Sequence, residues 1–307
     1  FPTIVFYLIF SSPVAWTLQT MSQPLMASIF TYIFLRHLKL DMLSSVFGSI
    51  AYGFGGFTIL WMQWNTHATT AMFLPILLLL EDKFIISKQI KWGIMLSIFF
   101  CLQIFAGYLP ILPFTLIALA IWWLFRSKDF KLGIKFGTFI ILGLLLSAVF
   151  TLPVAELTQL SQRTADILRS QDPFSPPEMF INLLAPDFFG NDATGNYWGR
   201  GDHMDATLYV GVTTLIFSLI GLNKFFSNIP IRFAAFLFIV GVVLSISNPL
   251  SKLLYEMGIW GGSSITMNRV NFIMNFSLAL LGAYGLSQLR NSKLSLNWDL
   301  IISGILA

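Results

Sequence analysis

The feature that most constrains this fold is a series of long apolar runs separated by short charged segments. About 20 apolar residues are enough for a helix to span a bilayer. Only 10% of the 307 residues are charged and 56% are hydrophobic, whereas a soluble domain carries roughly 25% charged residues. Ten-residue strands of alternating polarity, which are typical of outer-membrane barrels, are absent. We therefore predict an all-α, polytopic transmembrane helix bundle.

The apolar runs predict nine helices and the start of a tenth near residue 298. They lie near residues 14–35, 44–60, 66–80, 92–108, 110–125, 133–152, 206–222, 232–247 and 268–288. The second and third are short and partly polar, so this pair is either two crossings or a re-entrant hairpin. The chain starts at Phe1 and ends at Ala307 within apolar sequence, and we expect it to be part of a longer protein.

The 18 basic residues are divided unequally between the two alternate sets of loops. Thirteen belong to one set: Arg36, Lys39, Lys83, Lys88, Lys91, Arg126, Lys128, Lys131, Lys135, Lys224, Arg232, Arg290 and Lys293. The other set holds Arg163, Arg169, Arg200, Lys252 and Arg269. Because basic loops stay on the cytoplasmic side, we predict that residues 153–205 lie outside the bacterial plasma membrane. The net charge of +4 gives no indication of a nucleic-acid partner.

This outer segment is long, acidic and rich in aromatic residues. A loop of this length is usually functional or disordered, and disordered segments are poor in aromatics. We therefore expect an extracytoplasmic cap over the bundle, with a short amphipathic helix at residues 178–184. The predicted division is 1–152 for the N-terminal transmembrane helices, 153–205 for the cap and 206–307 for the C-terminal transmembrane helices.

Carboxylate, amide and aromatic side chains in the cap suit a sugar, whose hydroxyls bond to acids and whose apolar face stacks on rings. Asp187, Tyr197 and Trp198 are candidates for such a pocket. Tyr197 and Trp198 are equally typical of an aromatic belt at the headgroup level. Asp187, between Pro186 and Phe188, also has the sequence of a tight turn.

Arg269 begins the last complete helix on the predicted outer side, where basic residues are rare. Its guanidinium is either a phosphate ligand or a cation that reaches water at the membrane boundary. Glu156 is either a general base or the partner of Arg163 in an ion pair. Asn65 and His67 lie in a polar turn between two short spans and are further substrate-binding candidates.

Metal and nucleotide chemistry have little support in the sequence. Cys101 is the only cysteine and there are three histidines, so we predict no metal site of the usual Cys and His type. Asp192, Asp202 and Asp205 are weak candidates for a divalent cation, and we assign no cofactor. The Walker A, GxGxxG, HExxH and GxSxG patterns are absent.

Several short motifs follow one another in an order that resembles a known family. They are residues 52–57 (YGFGGF), 65–67 (NTH), 102–107 (LQIFAG), 152–157 (LPVAEL), 161–163 (SQR), 186–190 (PDFFG), 197–199 (YWG), 209–211 (YVG), 268–272 (NRVNF) and 283–286 (AYGL). In this order they resemble the YfhO-like bacterial membrane proteins, which are predicted glycosyltransferases of the GT-C architecture. The turn at residues 107–110 (GYLP) departs from the more polar turn of the family, so no direct role is expected of it.

The resemblance implies transfer of a sugar from a polyprenyl-phosphate carrier to a polymer or lipid acceptor of the cell envelope. An acid would deprotonate the acceptor hydroxyl, and basic groups would stabilise the leaving phosphate. In GT-C enzymes the key acid lies in the first outer loop, so the resemblance places the base before Phe1. Two alternatives remain: a transporter or flippase of lipid-linked envelope precursors, and a non-enzymatic envelope assembly protein.

Overall fold

The computed structural model describes residues 3–127, 129–160, 173–206, 208–257 and 267–291, and every regular element in them is helical. The all-α prediction is confirmed. The α-helices are α1 (Ile4–Ile9), α2 (Ser12–His37), α3 (Met42–Gly53), α4 (Gly56–Trp61), α5 (His67–Ala71), α6 (Leu74–Ser87), α7 (Ile90–Phe105), α8 (Leu112–Arg126), α9 (Phe130–Leu146), α10 (Ala148–Leu160), α11 (Val212–Gly221), α12 (Ile229–Ser245), α13 (Pro249–Glu256) and α14 (Asn271–Asn291). Short 3-10 helices are Met62–Trp64, Leu109–Ile111, Pro177–Leu183, His203–Ala206, Leu222–Lys224 and Met267–Val270.

Helix α14 is the centre of the bundle, and all of its residues from Asn271 to Leu286 are buried. It packs against α11, α12 and α3. Small residues allow the close approach: a Cβ added to Gly285 would overlap the backbone carbonyl of Phe217, and one added to Gly48 would lie 2.7 Å from the Cβ of Ala283. Close backbone packing of this kind is how helices associate where lipid removes the hydrophobic driving force.

Two helical stretches, Leu109–Arg126 and Met267–Asn291, are long and apolar enough to cross a membrane. Three further pairs of helices reach that length only when taken together: α3 with α4, α9 with α10, and α12 with α13, bent by 42°, 71° and 72°. The sequence predicted α3 with α4 as one run near 44–60, whereas the run near 133–152 ends within α10 and the run near 232–247 ends before α13 begins. The alternative of two crossings or a re-entrant hairpin concerns the runs 44–60 and 66–80, which form α3 with α4 and α5 with α6. The predicted tenth helix lies outside the described residues.

Local capping explains where several helices begin. The side chains of Asp41, Asp129 and Asn228 each accept a hydrogen bond from a backbone N–H in the first turn of α3, α9 and α12. Asn248 forms a capping box with Ser251 at the start of α13. Such caps satisfy N–H groups that have no partner within the helix.

The bundle has two ends, which we name after one residue each. At the Arg269 end lie the start of α14, the short helices at Met62–Ala71 and the segment 173–206. At the Asp82 end, Arg290 near the end of α14 pairs with Asp41. His37, at the end of α2, also lies there, beside Asp82.

Asp82 is buried in a network that the sequence did not predict. Its Oδ1 accepts hydrogen bonds from Arg126 Nε at 2.6 Å and Trp122 Nε1 at 3.2 Å, and Arg126 Nη2 bonds to Oδ2 at 3.1 Å. His37 Nε2 lies 2.8 Å from the same Oδ2. The sequence placed residues 81–91 in a loop after a helix ending near residue 80, whereas α6 continues to Ser87. The helix continues because α2 and α8 supply partners for the carboxylate.

The segment 173–206 is anchored to the Arg269 end by backbone hydrogen bonds. Ser175 N–H donates to Ser245 O at 2.8 Å, and Met267 N–H donates to Pro173 O at 2.7 Å. The predicted short helix at 178–184 is present as the 3-10 helix Pro177–Leu183. Since α10 runs to Leu160, the helical part continues beyond residue 152, and we retain the three-part division as a proposal.

Candidate functional site

Arg269 is held by side chains from three separate parts of the chain. Its Nε donates to Tyr108 Oη at 2.9 Å, and its Nη1 donates to Asn268 Oδ1 at 3.1 Å. The guanidinium carbon lies 4.0 Å from the centre of the Trp61 ring. The hydrogen bonds set the plane of the guanidinium, and the ring face attracts its positive charge. The cation therefore has a fixed position at the beginning of α14.

His67 lies between the two aromatic residues that contact Arg269. Its ring centre is 4.3 Å from that of Trp61 and 3.5 Å from that of Tyr108, and Nδ1 is 3.0 Å from Thr66 Oγ1. His67 lies outside the helices and bent helix pairs of the structure that are long and apolar enough to cross a membrane, although the predicted run 66–80 includes it. Burial and, secondly, the nearby Arg269 charge lower the pKa of His67 to about 3. The imidazole is thus neutral at physiological pH, and Arg269 supplies the positive charge of this cluster.

Asn65 lies next to this cluster in an unusual backbone conformation, with φ of 54°. Its Oδ1 accepts hydrogen bonds from Gln23 Nε2 at 2.6 Å and from Thr20 Oγ1 at 3.2 Å. Within the described part of the chain, its buried Nδ2 has no hydrogen-bond partner. A buried donor without a partner is costly. Asn65 is two residues from His67, and its unpaired buried donor makes it a candidate ligand-binding group.

A buried polar network positions the turn that carries Tyr108. The backbone N–H of Tyr108 donates to Thr70 Oγ1 at 3.3 Å. Gln103 Nε2 donates to the Thr70 carbonyl at 3.0 Å and to Thr115 Oγ1 at 2.9 Å. Because α5, α7 and α8 are joined in this way, the Tyr108 hydroxyl has a defined position for its bond to Arg269.

The short helix His203–Ala206 connects the segment 173–206 to the Arg269 cluster. Trp61 Nε1 donates to the carbonyl oxygen of Met204 at 3.1 Å, and Gln63 Nε2 lies 2.9 Å from Met204 Sδ. His203 Nε2 lies 3.6 Å from Asp187 Oδ1. Its ring centre is 5.5 Å from that of Tyr197. Asp187 and Tyr197 are thereby linked to Trp61 through two consecutive residues, His203 and Met204.

Trp198 packs in a small aromatic group of its own. Its ring lies 4.8 Å from Phe189 and 5.9 Å from Phe188, measured between centres, and 65% of Trp198 remains exposed. Asp187 is in a turn, as its sequence predicted, because Gly190 N–H donates to the Asp187 carbonyl at 2.9 Å. The carboxylate itself is 62% exposed. Both interpretations of Asp187 therefore remain compatible with its position.

The remaining candidates are not assembled into this cluster by the described contacts. Glu156 is exposed on α10, and Arg163, its predicted partner, lies outside the described residues. Asp192 is exposed, and Asp202 Oδ1 accepts from the Met204 N–H at 3.0 Å. No group of three metal-binding side chains occurs among those that are described. The side chain of Asp205 is not one of them.

Sequence reasoning selected Arg269, His67 and Asn65, and the structure brings these three regions together. It missed the roles of Trp61 and Tyr108 in holding the guanidinium. Trp61 was part of the polar aromatic turn before His67, and that position was its only signal. Tyr108 was set aside because its turn departs from the family pattern, and no local signal points to a contact 161 residues away.

The structure is an all-α bundle with helices long and apolar enough to cross a membrane, and a fixed cation lies at one end of it. The chain belongs to the bacterial membrane protein family YfhO, whose family model matches residues 2–307. A search of curated proteins gives no match, and a search of solved structures gives none either. The family resemblance found in the sequence is thus confirmed.

Proposed function

We propose that this protein is an integral membrane glycosyltransferase that moves a sugar from a polyprenyl-phosphate carrier to a cell-envelope acceptor. The observation that carries the proposal is the geometry of Arg269. A guanidinium fixed by Tyr108, Asn268 and Trp61 at a membrane boundary is suited to a phosphate, since its planar fork matches two phosphate oxygens. The donor N–H of Asn65 Nδ2 provides a further group for a sugar hydroxyl or phosphate oxygen.

An apolar groove supports a carrier with a long hydrocarbon tail. It encloses about 730 Å³ between the 3-10 helix Pro177–Leu183 and helices α11, α12 and α14. Its lining is almost entirely aliphatic and aromatic and includes Phe180, Leu183, Leu219, Phe238 and Leu281. A polyprenyl chain is compatible with such a lining, whereas a flippase would need polar groups along its path. Both alternatives use a lipid-linked substrate, so the groove supports the carrier and the leaflet assay below separates the transferase from the transporter.

The proposed chemistry is an inverting displacement. A carboxylate removes the proton from the acceptor hydroxyl, the oxygen attacks the anomeric carbon, and the bond from that carbon to the phosphate oxygen breaks. Arg269 stabilises the charge that develops on the leaving phosphate. Asp187 and Glu156 are the candidate bases within this chain, while the family resemblance places the base upstream of Phe1. Tyr197 and Trp198 contribute to the sugar or acceptor site.

The direct test is turnover of a labelled polyprenyl-phosphate sugar by the purified full-length protein in nanodiscs. We expect release of polyprenyl phosphate, accelerated by an envelope glycan fraction that acts as acceptor. The same labelled lipid, placed in one leaflet of vesicles, tests the transporter alternative. Movement between leaflets without cleavage of the sugar–phosphate bond would reject the transferase. Absence of both transfer and movement would favour an assembly protein.

The orientation of the site is part of the proposal and has its own test. The unequal distribution of basic residues supports an orientation with the Arg269 end and residues 153–205 outside the plasma membrane. Within these 307 residues Cys101 is the only cysteine and is buried, so single exposed cysteines can be labelled selectively once any cysteine outside them is replaced by serine. We expect an impermeant maleimide to label Asp192→Cys in intact cells and to label Lys131→Cys only after lysis. The opposite result would place the site in the cytoplasm and remove its access to envelope acceptors.

A further inference from the structure

The segment 173–206 contains a pocket distinct from the Arg269 cluster. It encloses about 700 Å³ and is lined by Pro177, Glu178, Met179, Ile181, Phe188, Phe189, Trp198, Gly199 and Arg200. None of these residues takes part in the contacts around Arg269 described above. We propose that this pocket binds a neutral saccharide, and that in the proposed reaction it is the acceptor subsite.

The aromatic wall of the pocket is held in place before any ligand binds. The backbone N–H of Trp198 donates to the Phe189 carbonyl at 2.9 Å, which fixes the two backbones beside one another, and the indole lies 4.8 Å from the Phe189 ring. Tyr197 Oη donates to the Arg200 carbonyl at 3.0 Å and so fixes the backbone that follows. Phe189 and Met179 are buried against one another. A ring surface that is already ordered loses little entropy on binding.

The exposed part of this wall has the chemistry of a sugar platform. Trp198 is 65% exposed and Phe188 is 46% exposed, so both can contact the apolar C–H face of a pyranose. Glu178 and Arg200 line the same pocket and are also exposed. The carboxylate accepts hydrogen bonds from hydroxyls, and the guanidinium donates them. Since the two charges are opposite, the pocket favours a neutral ligand.

The position of the pocket relates it to the Arg269 cluster. Tyr197 packs against the buried pair Met179 and Phe189. The ring centre of Tyr197 also lies 5.5 Å from that of His203. His203 precedes Met204, whose carbonyl accepts the hydrogen bond from Trp61 Nε1. The pocket and the cation are therefore joined through Tyr197, His203, the backbone carbonyl of Met204 and Trp61. The term acceptor rests on the proposed transferase function, whereas saccharide binding itself does not.

Saturation-transfer NMR tests this proposal with the full chain in nanodiscs and two neutral probes, cellotriose and N,N′-diacetylchitobiose. We expect binding in the millimolar range to wild type and about tenfold weaker binding to Trp198→Ala, because the stacking surface is lost. Trp16→Ala is the matched control, since Trp16 is also an exposed tryptophan, at 52%, and lies in the first turns of α2. Glu178→Gln and Arg200→Gln change only exposed side chains, and each should weaken saccharide binding several-fold. They replace Trp198→Ala as the test if that variant fails to fold.

The outcomes separate this proposal from the transferase proposal. Saccharide binding that depends on Trp198 in a protein without transferase activity would retain the pocket and reject only its acceptor role. Donor hydrolysis without acceptor transfer in Trp198→Ala would support both. Absence of saccharide signal in wild type, or equal signal in Trp198→Ala, would overturn the pocket assignment. The pocket assignment would also be overturned if brominated lipid quenched the fluorescence of Trp198 while saccharide binding stayed unchanged. The Trp198 side of the pocket would then face the membrane interface.

Discussion

Replacing Arg269 by alanine is expected to reduce sugar transfer by about 100-fold to 1,000-fold, the range found when one preorganised donor to a developing oxyanion is removed. The reason is that no other described cation contacts the Trp61, His67 and Tyr108 cluster. Arg269→Lys should retain part of the activity at most, because an ammonium group lacks the planar fork that matches phosphate. The measurement is the initial rate of release of polyprenyl phosphate by the full-length protein at saturating donor.

Two further variants make the Arg269 result specific. Lys252→Ala removes an exposed basic residue that is predicted to lie on the same side of the membrane, and it should leave the rate unchanged. Tyr108→Phe removes the hydroxyl that accepts from Arg269 Nε and keeps the ring beside His67. The rate is expected to fall about tenfold, because one charge-assisted hydrogen bond is removed. Wild-type turnover in Arg269→Ala, with a normal level in the membrane, would exclude the phosphate assignment.

Replacing Asp82 by asparagine is expected to lower the free energy of unfolding by about 3–5 kcal/mol, the cost of breaking a buried ion pair on one side. The carboxylate is 1% exposed and accepts three hydrogen bonds from Arg126 and Trp122. Asparagine keeps the shape of the side chain but leaves the Arg126 guanidinium without its counter-charge. The measurement is unfolding by SDS titration in mixed micelles, together with the amount of protein in the membrane.

Asp129→Asn is the matched control for the Asp82 variant. Asp129 is exposed, and its side chain caps α9 through the Leu132 N–H, a role that asparagine fills equally well. Arg126→Met by itself should also lower the free energy of unfolding. The double variant Asp82→Asn with Arg126→Met should lower it by less than the sum of the two single effects. If Asp82→Asn lowered the free energy of unfolding no more than Asp129→Asn does, the network would contribute little to stability.

The Asp82 network shows why sequence patterns misplace some boundaries. Two adjacent acids after a run of leucines indicate the end of a span, because an isolated charge is costly in an apolar environment. In the structure, α6 continues past Glu81 and Asp82, and both side chains are buried. The compensating groups, His37 and Arg126, lie 45 and 44 residues away. Their proximity depends on how α2, α6 and α8 pack.

The same distinction applies to the candidate site. The unequal distribution of basic residues selected Arg269, because basic residues of any kind are rare in its set of loops, and the NTH motif selected Asn65 and His67. These signals are local or compositional and can be counted along the chain. The contacts of Arg269 with Trp61 and Tyr108 are not of this kind, because they join three regions that are distant along the chain and meet only in the folded bundle.

The sequence alone determined that the protein is a helical membrane protein of the YfhO family, because hydropathy and motif order are properties of short stretches. Only the tertiary structure decided which side chains share a site, where the helices bend, and which charges are buried. The physical reason is that the energy of a charge in an apolar bundle is set by its partners in space. Those partners come from helices that are distant along the chain.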